Sequence, residues 1–385
     1  MSDSPPGDVT LDPVRQARAR EYARVSRRLL AVDLALSAAL VIGFLVTGAS
    51  AWLRDALLSD ALLGARAGVD APGVLVAAYV TVVLVAYSVV ILPLDWYTGY
   101  TLPHRYDLST QTPRAWWSDQ LKSLALALAL GVPVAEVIYL LLRVQPDTWW
   151  VWAGGFLIAV SVVLGQLAPV LIVPLFFKLT PLENAELVER VTQLGERAGV
   201  RVVGVYTIDL SRRTKAANAM VMGLGRTKRI ALGDTLYAEY TLDEIETILA
   251  HELGHQVHRD LELGILVDSA VMLFGLYLAK LFLDWGVARF GFDGPGDMAA
   301  LPLLALAAGV FSLVTMPPLN AYSRWRERLA DRYAVEITGK PRAFADMLTR
   351  VANQNLAEAD PPRWVVWLLY SHPPVRERLR AAQGT

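Results

Sequence analysis

Six long apolar stretches punctuate the chain, at about 29–48, 73–94, 121–142, 149–176, 263–285 and 298–320. Each approaches or exceeds the roughly 20 residues that an α-helix needs to cross a bilayer core. Proline and glycine interrupt several of them, which spanning helices tolerate because neighbouring groups re-satisfy the freed backbone. Trp96, Tyr97, Trp116, Trp117, Trp149, Trp150 and Trp152 gather at the ends of these stretches, where amphipathic rings favour the membrane–water interface. The pattern predicts a mainly α, polytopic membrane helical bundle of about six spans.

The polar region between the fourth and fifth spans has a different rhythm. Residues 183–198 repeat with helical periodicity, 202–210 alternate like a strand, and 219–222 and 229–232 flank Gly223-Leu224-Gly225-Arg226-Thr227 as a hairpin with a longer loop. Gly223 and Gly225 do not make a phosphate loop, since no Gly-Lys-Ser/Thr follows. Thr241-Leu242-Asp243-Glu244 is a capping-box pattern that opens a helix running through His251 and His255 and continuing toward the fifth span. The expected organisation is a basic N-terminal segment (1–28), a membrane domain of four spans (29–176), a polar domain with a small β-sheet (177–262), two further spans (263–320), and a C-terminal part of the polar domain (321–385).

Loop charge sets the expected orientation. Arg15, Arg18, Arg20, Arg24, Arg27 and Arg28 precede the first span; His104, Arg105, Arg114 and Lys122 lie around the loop between spans two and three. The stretch 177–260 is dense in Lys and Arg, and the tail after 320 is Arg-rich, whereas only Arg143 and Asp147 separate spans three and four. A cytoplasmic N-terminus reconciles all six spans and puts both polar regions, and the C-terminus, on the cytoplasmic side. Ala49-Ser50-Ala51 resembles a signal-peptidase site, but the segment before it is too long for a signal peptide.

Composition narrows the chemistry. Only 19% of the 385 residues are charged, and the net charge is −1, which gives no general attraction to nucleic acid. The absence of cysteine excludes disulfides, thiolate nucleophiles and Cys-ligated zinc, leaving His, Asp and Glu as metal ligands. His251-Glu252-Leu253-Gly254-His255 supplies two of them. Histidines four apart share a helix face and can reach one ion, with the intervening glutamate beside it to polarise a water.

A catalytic ion needs a third protein ligand and an open position. Glu327, in Ser323-Arg324-Trp325-Arg326-Glu327-Arg328-Leu329-Ala330-Asp331, is the best candidate, and an antiparallel return through spans five and six would bring it beside the histidines. Asp331, one turn on, is placed to accept from the free nitrogen of a ligating histidine. A solvated helix with Arg/Glu pairs is the plainer account of the same segment. His372, in Ser371-His372-Pro373-Pro374, is placed to donate to a developing oxyanion, or else is an ordinary surface residue. His258 suits packing or hydrogen bonding, and His104 an interfacial loop. Glu136, Asp268 and Lys280 fall within or near predicted spans; such residues face water or a bundle interior, or snorkel from a helix end.

Taken in order, the segments 100–112 with Asp119 and Lys122, 169–176, Pro181-Leu182-Glu183, Ala217-Asn218-Ala219, 229–236, His251 to His255, Arg324 to Asp331, and His372-Pro373 with Arg378-Leu379 resemble the membrane zinc metallopeptidases typified by the type 1 CAAX prenyl protease. HtpX-like quality-control proteases are more distant relatives with the same zinc-site layout. The resemblance implies a bundle enclosing a water-filled chamber, with a cytoplasmic zinc peptidase domain. It implies one Zn2+ per chain on His251, His255 and Glu327, Glu252 as general base, Asp331 as the ligands' hydrogen-bond partner, and His372 and Arg378 near substrate and oxyanion. Asn218 and Ala219 would belong to an edge strand that holds a peptide by strand addition.

Three departures stand out: six clear spans where the eukaryotic enzymes have seven, a first hundred residues that match the family poorly, and Arg105-Tyr106-Asp107-Leu108-Ser109 in place of the usual Gly-Phe-Asn. The resulting expectation is a multipass membrane zinc metalloendopeptidase acting on peptide or protein substrates, membrane-associated or lipidated ones among them. The alternatives are an HtpX-like quality-control protease and a non-catalytic membrane scaffold with a structural metal site.

Overall fold

The computed structural model describes residues 10–59, 72–200, 203–222 and 229–384. Among them are six helical stretches long and apolar enough to cross a membrane: Pro13–Val46, Gly73–Arg105, Pro113–Val144, Trp149–Phe176, Asp260–Phe290 and Met298–Thr338. The first, α1 (Pro13–Val46), starts where the Asp12 carboxylate accepts from the Val14 and Arg15 amides and Pro13 supplies a preset φ. After left-handed Gly48 comes a short α2 (Ala49–Leu58). Then α3 (Pro72–Trp96) passes through a π-helical turn, Tyr97–Thr101, into α4 (Leu102–Arg105). His104 therefore sits on a helical extension of the second span rather than in a loop, its Nδ1 2.7 Å from the Tyr100 carbonyl. Thr112 caps α5 (Pro113–Val144). A second π-helical turn, Ala168–Ile172, joins α6 (Trp149–Leu167) to α7 (Val173–Phe176).

The spans form a closed ring. Going round, α1 packs on the sixth span, which packs on the fifth, and that on α6; α6 meets α5, α5 meets α3, and α2 bridges α3 back to α1. Ser37 and Tyr87 close the α1–α3 side with a 2.9 Å hydrogen bond. Among the described residues, the extensive span contacts run round this ring, and a core that includes Leu45, Tyr79, Tyr139, Trp149, Leu283 and Leu303 packs between the helices. Gly154 against Leu273 and Gly286 against Leu303 are close approaches, where a Cβ would force the leucine side chain to move, as expected where spanning helices touch. Ser50, in the segment that resembles a cleavage site, is buried and bonded to the Tyr79 hydroxyl and the Ala299 carbonyl. Glu136 lies against Gly73, Lys280 pairs with Asp284, and Asp268 is on an exposed face.

The polar region contains β1 (Leu179–Pro181), α8 (Ala185–Arg197), β2 (Gly204–Ile208), β3 (Ala219–Met222), β4 (Arg229–Gly233) and α9 (Asp234–Glu239), followed by α10 (Leu242–Val257). The α8 helix begins at its Asn184 cap, and the strand expected at 202–210 is shorter at both ends. The expected hairpin is real, β3 and β4 being antiparallel, although its loop at 223–228 lies outside the described residues. Sheet order is β1-β2-β4-β3, with β2 and β4 parallel, so β3 is an edge.

One expectation fails: α10 does not run on into the fifth span. It ends at Val257; Arg259 adopts a left-handed φ of 54° and α11 (Asp260–Phe290) starts afresh. The sixth span is α12 (Leu301–Thr338), followed by α13 (Pro341–Gln354), α14 (Arg363–Leu369) and α15 (Val375–Gln383).

Leu187 and Leu194 from α8, Ile230 and Leu232 from β4, and Ile245, Leu249 and Leu253 from α10 share a core with Ala334 of α12 and Phe344 and Leu348 of α13. The two polar regions, far apart in sequence, are thus one hydrophobic unit. Asp119, at the start of α5, ties the sheet region to the ring through a two-pronged pair with Arg213 at 2.8 and 2.9 Å.

Candidate metal centre

Local sequence fixes the helix that carries the site. The Thr241 hydroxyl accepts the Glu244 amide at 3.3 Å while the Glu244 carboxylate accepts the Thr241 amide at 2.8 Å, satisfying two donors at the start of α10. Three turns later His251 and His255 project from one face, their rings edge to face with centroids 4.8 Å apart. Their Nε2 atoms stand 3.2 Å from each other.

Glu327 comes from α12, antiparallel to α10 across the shared core. Its Oε2 is 3.3 Å from His251 Nε2 and its Oε1 is 3.5 Å from His255 Nε2. Glycine makes this approach possible. A Cβ on Gly254 would come within 3.1 Å of the Ala330 backbone, so even alanine needs the neighbouring helix to give by a few tenths of an ångström, and a branched side chain needs more. We expect Gly254→Val to move Glu327 out of ligating range, so that the purified variant holds less than a tenth of the wild-type metal by elemental analysis.

The donor set suits a divalent ion. Tetrahedral bonds of about 2.0–2.1 Å, the length zinc takes from imidazole, place ligand atoms about 3.3–3.4 Å apart; the observed separations are 3.2, 3.3 and 3.5 Å. Glu327 Oε2 is buried and has no hydrogen-bond partner, a costly arrangement for an acceptor that nothing completes. Among the described residues, two imidazole nitrogens and a carboxylate supply three ligands, the number that catalytic sites combine with a fourth position for water or substrate.

Asp331 Oδ1 lies 2.9 Å from His251 Nδ1. Arg378 grips that same carboxylate, its Nε and Nη2 donating at 2.8 and 2.6 Å. Burial disfavours a charge on His251, but Asp331 and Glu327 outweigh it and raise the ring's pKa to about 9. Burial also raises the pKa of Glu252, against the pull of the two histidines. His372 is exposed, and its Nε2 lies 3.3 Å from Glu327 Oε1, on the rim of the cluster. His258 instead bonds the Gly254 carbonyl at 2.8 Å and meets the Tyr333 ring edge-on.

Asn218 and Ala219 lie at the start of edge strand β3. The Asn218 carbonyl accepts from Gly233 on β4. In the alternation of an antiparallel pair, Ala219 and Val221 then turn their backbone groups to the open side. The Val221 backbone there lies close enough to the Glu252 carboxylate to favour its charged form, so the open edge runs beside the site. Asn355 was missed from sequence; its side chain takes the Ala217 amide at 2.8 Å and gives to the Ala217 carbonyl at 3.1 Å, pinning the entry to β3. Also missed was Asp260, 2.7 Å from His255 Nδ1. A continuous helix, as the sequence suggested, would have turned it away.

Residues 181–385 match the family described as "Peptidase family M48", and residues 6–178 match "CAAX prenyl protease N-terminal, five membrane helices". Within 6–178 the described residues contain four helices long enough to span, α2 being too short. A Bacillus subtilis protein described as "uncharacterized metalloprotease YhfN" is 32% identical, over 97% of this chain and 86% of its own. The CAAX prenyl protease 1 of Saccharomyces cerevisiae is 32% identical, over 76% and 69%. The crystal structure of S. mikatae Ste24p superposes with a TM-score of 0.86 at 25% identity, covering 96% of this chain and 89% of that one.

Proposed function

Because this chain belongs to peptidase family M48 and carries its metalloprotease domain on a ring of membrane spans, we propose that it is a zinc-dependent endopeptidase whose site is built from His251, His255, Glu327 and Glu252. The observation that carries this reading is the convergence of two imidazole nitrogens and one carboxylate, all within 4.8 Å of one another, from two separate helices. When bound, zinc supplies Lewis acidity toward a peptide carbonyl and acidifies water.

The chain's own groups do the rest. Glu252, next to His251 and with its pKa raised by burial, takes a proton from the attacking water and hands it to the departing amine. His372, on the rim, donates to the carbonyl oxygen as negative charge develops. Arg378 acts through Asp331 to hold the His251 ring. The free edge of β3, from Asn218 and Ala219 onward, receives the peptide as an added strand, its Ala219 and Val221 backbone groups aligning the scissile bond near Glu252. The Arg-rich segment before the first span favours a cytoplasmic site.

The substrates are peptides or proteins. Prenylated C-termini are one class, suggested by the named eukaryotic relatives; damaged membrane proteins are the other. The test is a quenched-peptide assay on the detergent-purified chain with its zinc content measured in parallel. Chelation is expected to abolish cleavage and stoichiometric zinc to restore it. Bound zinc without hydrolysis of any peptide in a broad library would instead indicate a structural metal site on a scaffold.

A further inference from the structure

Both ligating rings have a carboxylate on the nitrogen turned away from the ion, and an arginine holds each carboxylate. On His251 these are Asp331 and Arg378. On His255 they are Asp260 and Arg326. We propose that Asp260, held by Arg326, is a positioning residue of the metal centre that fixes both the His255 ring and the joint between α10 and the fifth span; this rests on the zinc reading above.

The backbone makes the pairing possible. In an unbroken helix a residue five places on sits about 140° round the axis, so Asp260 could not face His255. The left-handed Arg259, φ 54°, breaks the helix and folds the chain back. Asp260 Oδ2 is then 2.7 Å from His255 Nδ1. A carboxylate there keeps the proton on Nδ1 and leaves the Nε2 lone pair for the ion.

The other oxygen is equally committed. Arg326 Nε donates to Asp260 Oδ1 at 2.7 Å, and its Nη2 donates both to that oxygen and, at 2.7 Å, to the His258 carbonyl that ends α10. Both side chains are largely buried, 10% and 15% exposed. A non-glycine residue in the left-handed region persists only where its surroundings over-determine it, and these bonds do so.

Arg326 is also the sequence neighbour of Glu327. One guanidinium therefore ties together the helix of the two histidines, the helix of the third ligand, and the first residue of the fifth span. Asp260 touches neither ion nor substrate; its effect passes through His255 and the spacing of α10 from α12.

The experiment compares the full-length wild type with Asp260→Ala and Asp260→Asn in detergent. Zinc affinity is measured by competition with a chromogenic chelator, and peptide cleavage is measured in zinc-buffered solution. Outer partners of metal ligands are worth about 10–100-fold in affinity. Asp260→Ala should weaken zinc by that range and speed its release. Asp260→Asn should weaken it less, since an amide oxygen still accepts from Nδ1. KM should hold, and kcat should recover once free zinc exceeds the variant's Kd. Arg326→Gln should move zinc affinity in the same direction.

If Asp260→Ala proves unfolded, Asp260→Asn, which keeps the volume, decides the matter. Wild-type zinc affinity in a folded Asp260→Ala, or in Asp260→Asn when the alanine variant does not fold, overturns the proposal. Failure of the wild type itself to bind zinc would instead overturn the reading on which it rests.

Discussion

Glu252→Gln should leave zinc at one ion per chain while lowering kcat by about 10²–10⁴-fold, the range that a positioned general base contributes. Glutamine matches glutamate in shape, so the α10 helix, the His251 and His255 rings and the Glu327 contact have no reason to move. What it lacks is a site for the proton. Glu252 stands apart from the cluster of ligating atoms, which comprises His251, His255 and Glu327; its loss should therefore spare the metal. Burial already raises its pKa, which makes it a stronger base than a solvated carboxylate. Elemental analysis and quenched-peptide kinetics on the same preparation check both halves. A Glu252→Gln enzyme as fast as wild type would exclude the proposed proton path.

The sequence displayed most of this arrangement, for identifiable reasons. The six spans were legible because backbone groups in lipid must pair within the helix, which forces long apolar runs. The capping box and the four-residue spacing of the histidines were legible because both are local. Glu327 was reachable because spans five and six return the chain to the same membrane face, although the helix alone reads equally well as solvated. What stayed hidden depends on backbone conformation or on distant partners. Nothing in His258-Arg259-Asp260 marks Arg259 as left-handed, since arginine has no preference for that region, and so a continuous helix was expected and Asp260 was overlooked. Asn355, clamped on Ala217, has no sequence signal, because the contact joins segments 138 residues apart. The two bonds from Arg378 to Asp331 likewise join segments 47 residues apart and leave no mark in the sequence.

Glu327→Ala should have the larger effect on the metal, exceeding the roughly 10–100-fold loss expected when an outer partner is removed. It deletes the only ligand that arrives from α12 and the only one that brings negative charge to the cluster, leaving two neutral imidazoles on a single helix. The consequence reaches stability as well as activity. A ligand that binds only the folded state stabilises it by RT ln(1 + [L]/Kd), about 4 kcal/mol at a thousandfold excess over Kd. Wild-type protein should therefore melt at a lower temperature when zinc is chelated. The Glu327→Ala melting curve should be the same with and without chelator, since there is no tightly held ion to remove. His372→Phe, which alters the rim and removes none of the three ligands, should keep the chelator-dependent shift while losing cleavage. A chelator shift of wild-type size in Glu327→Ala would mean that the ion is held elsewhere, and the pairing of α10 with α12 would then need another explanation.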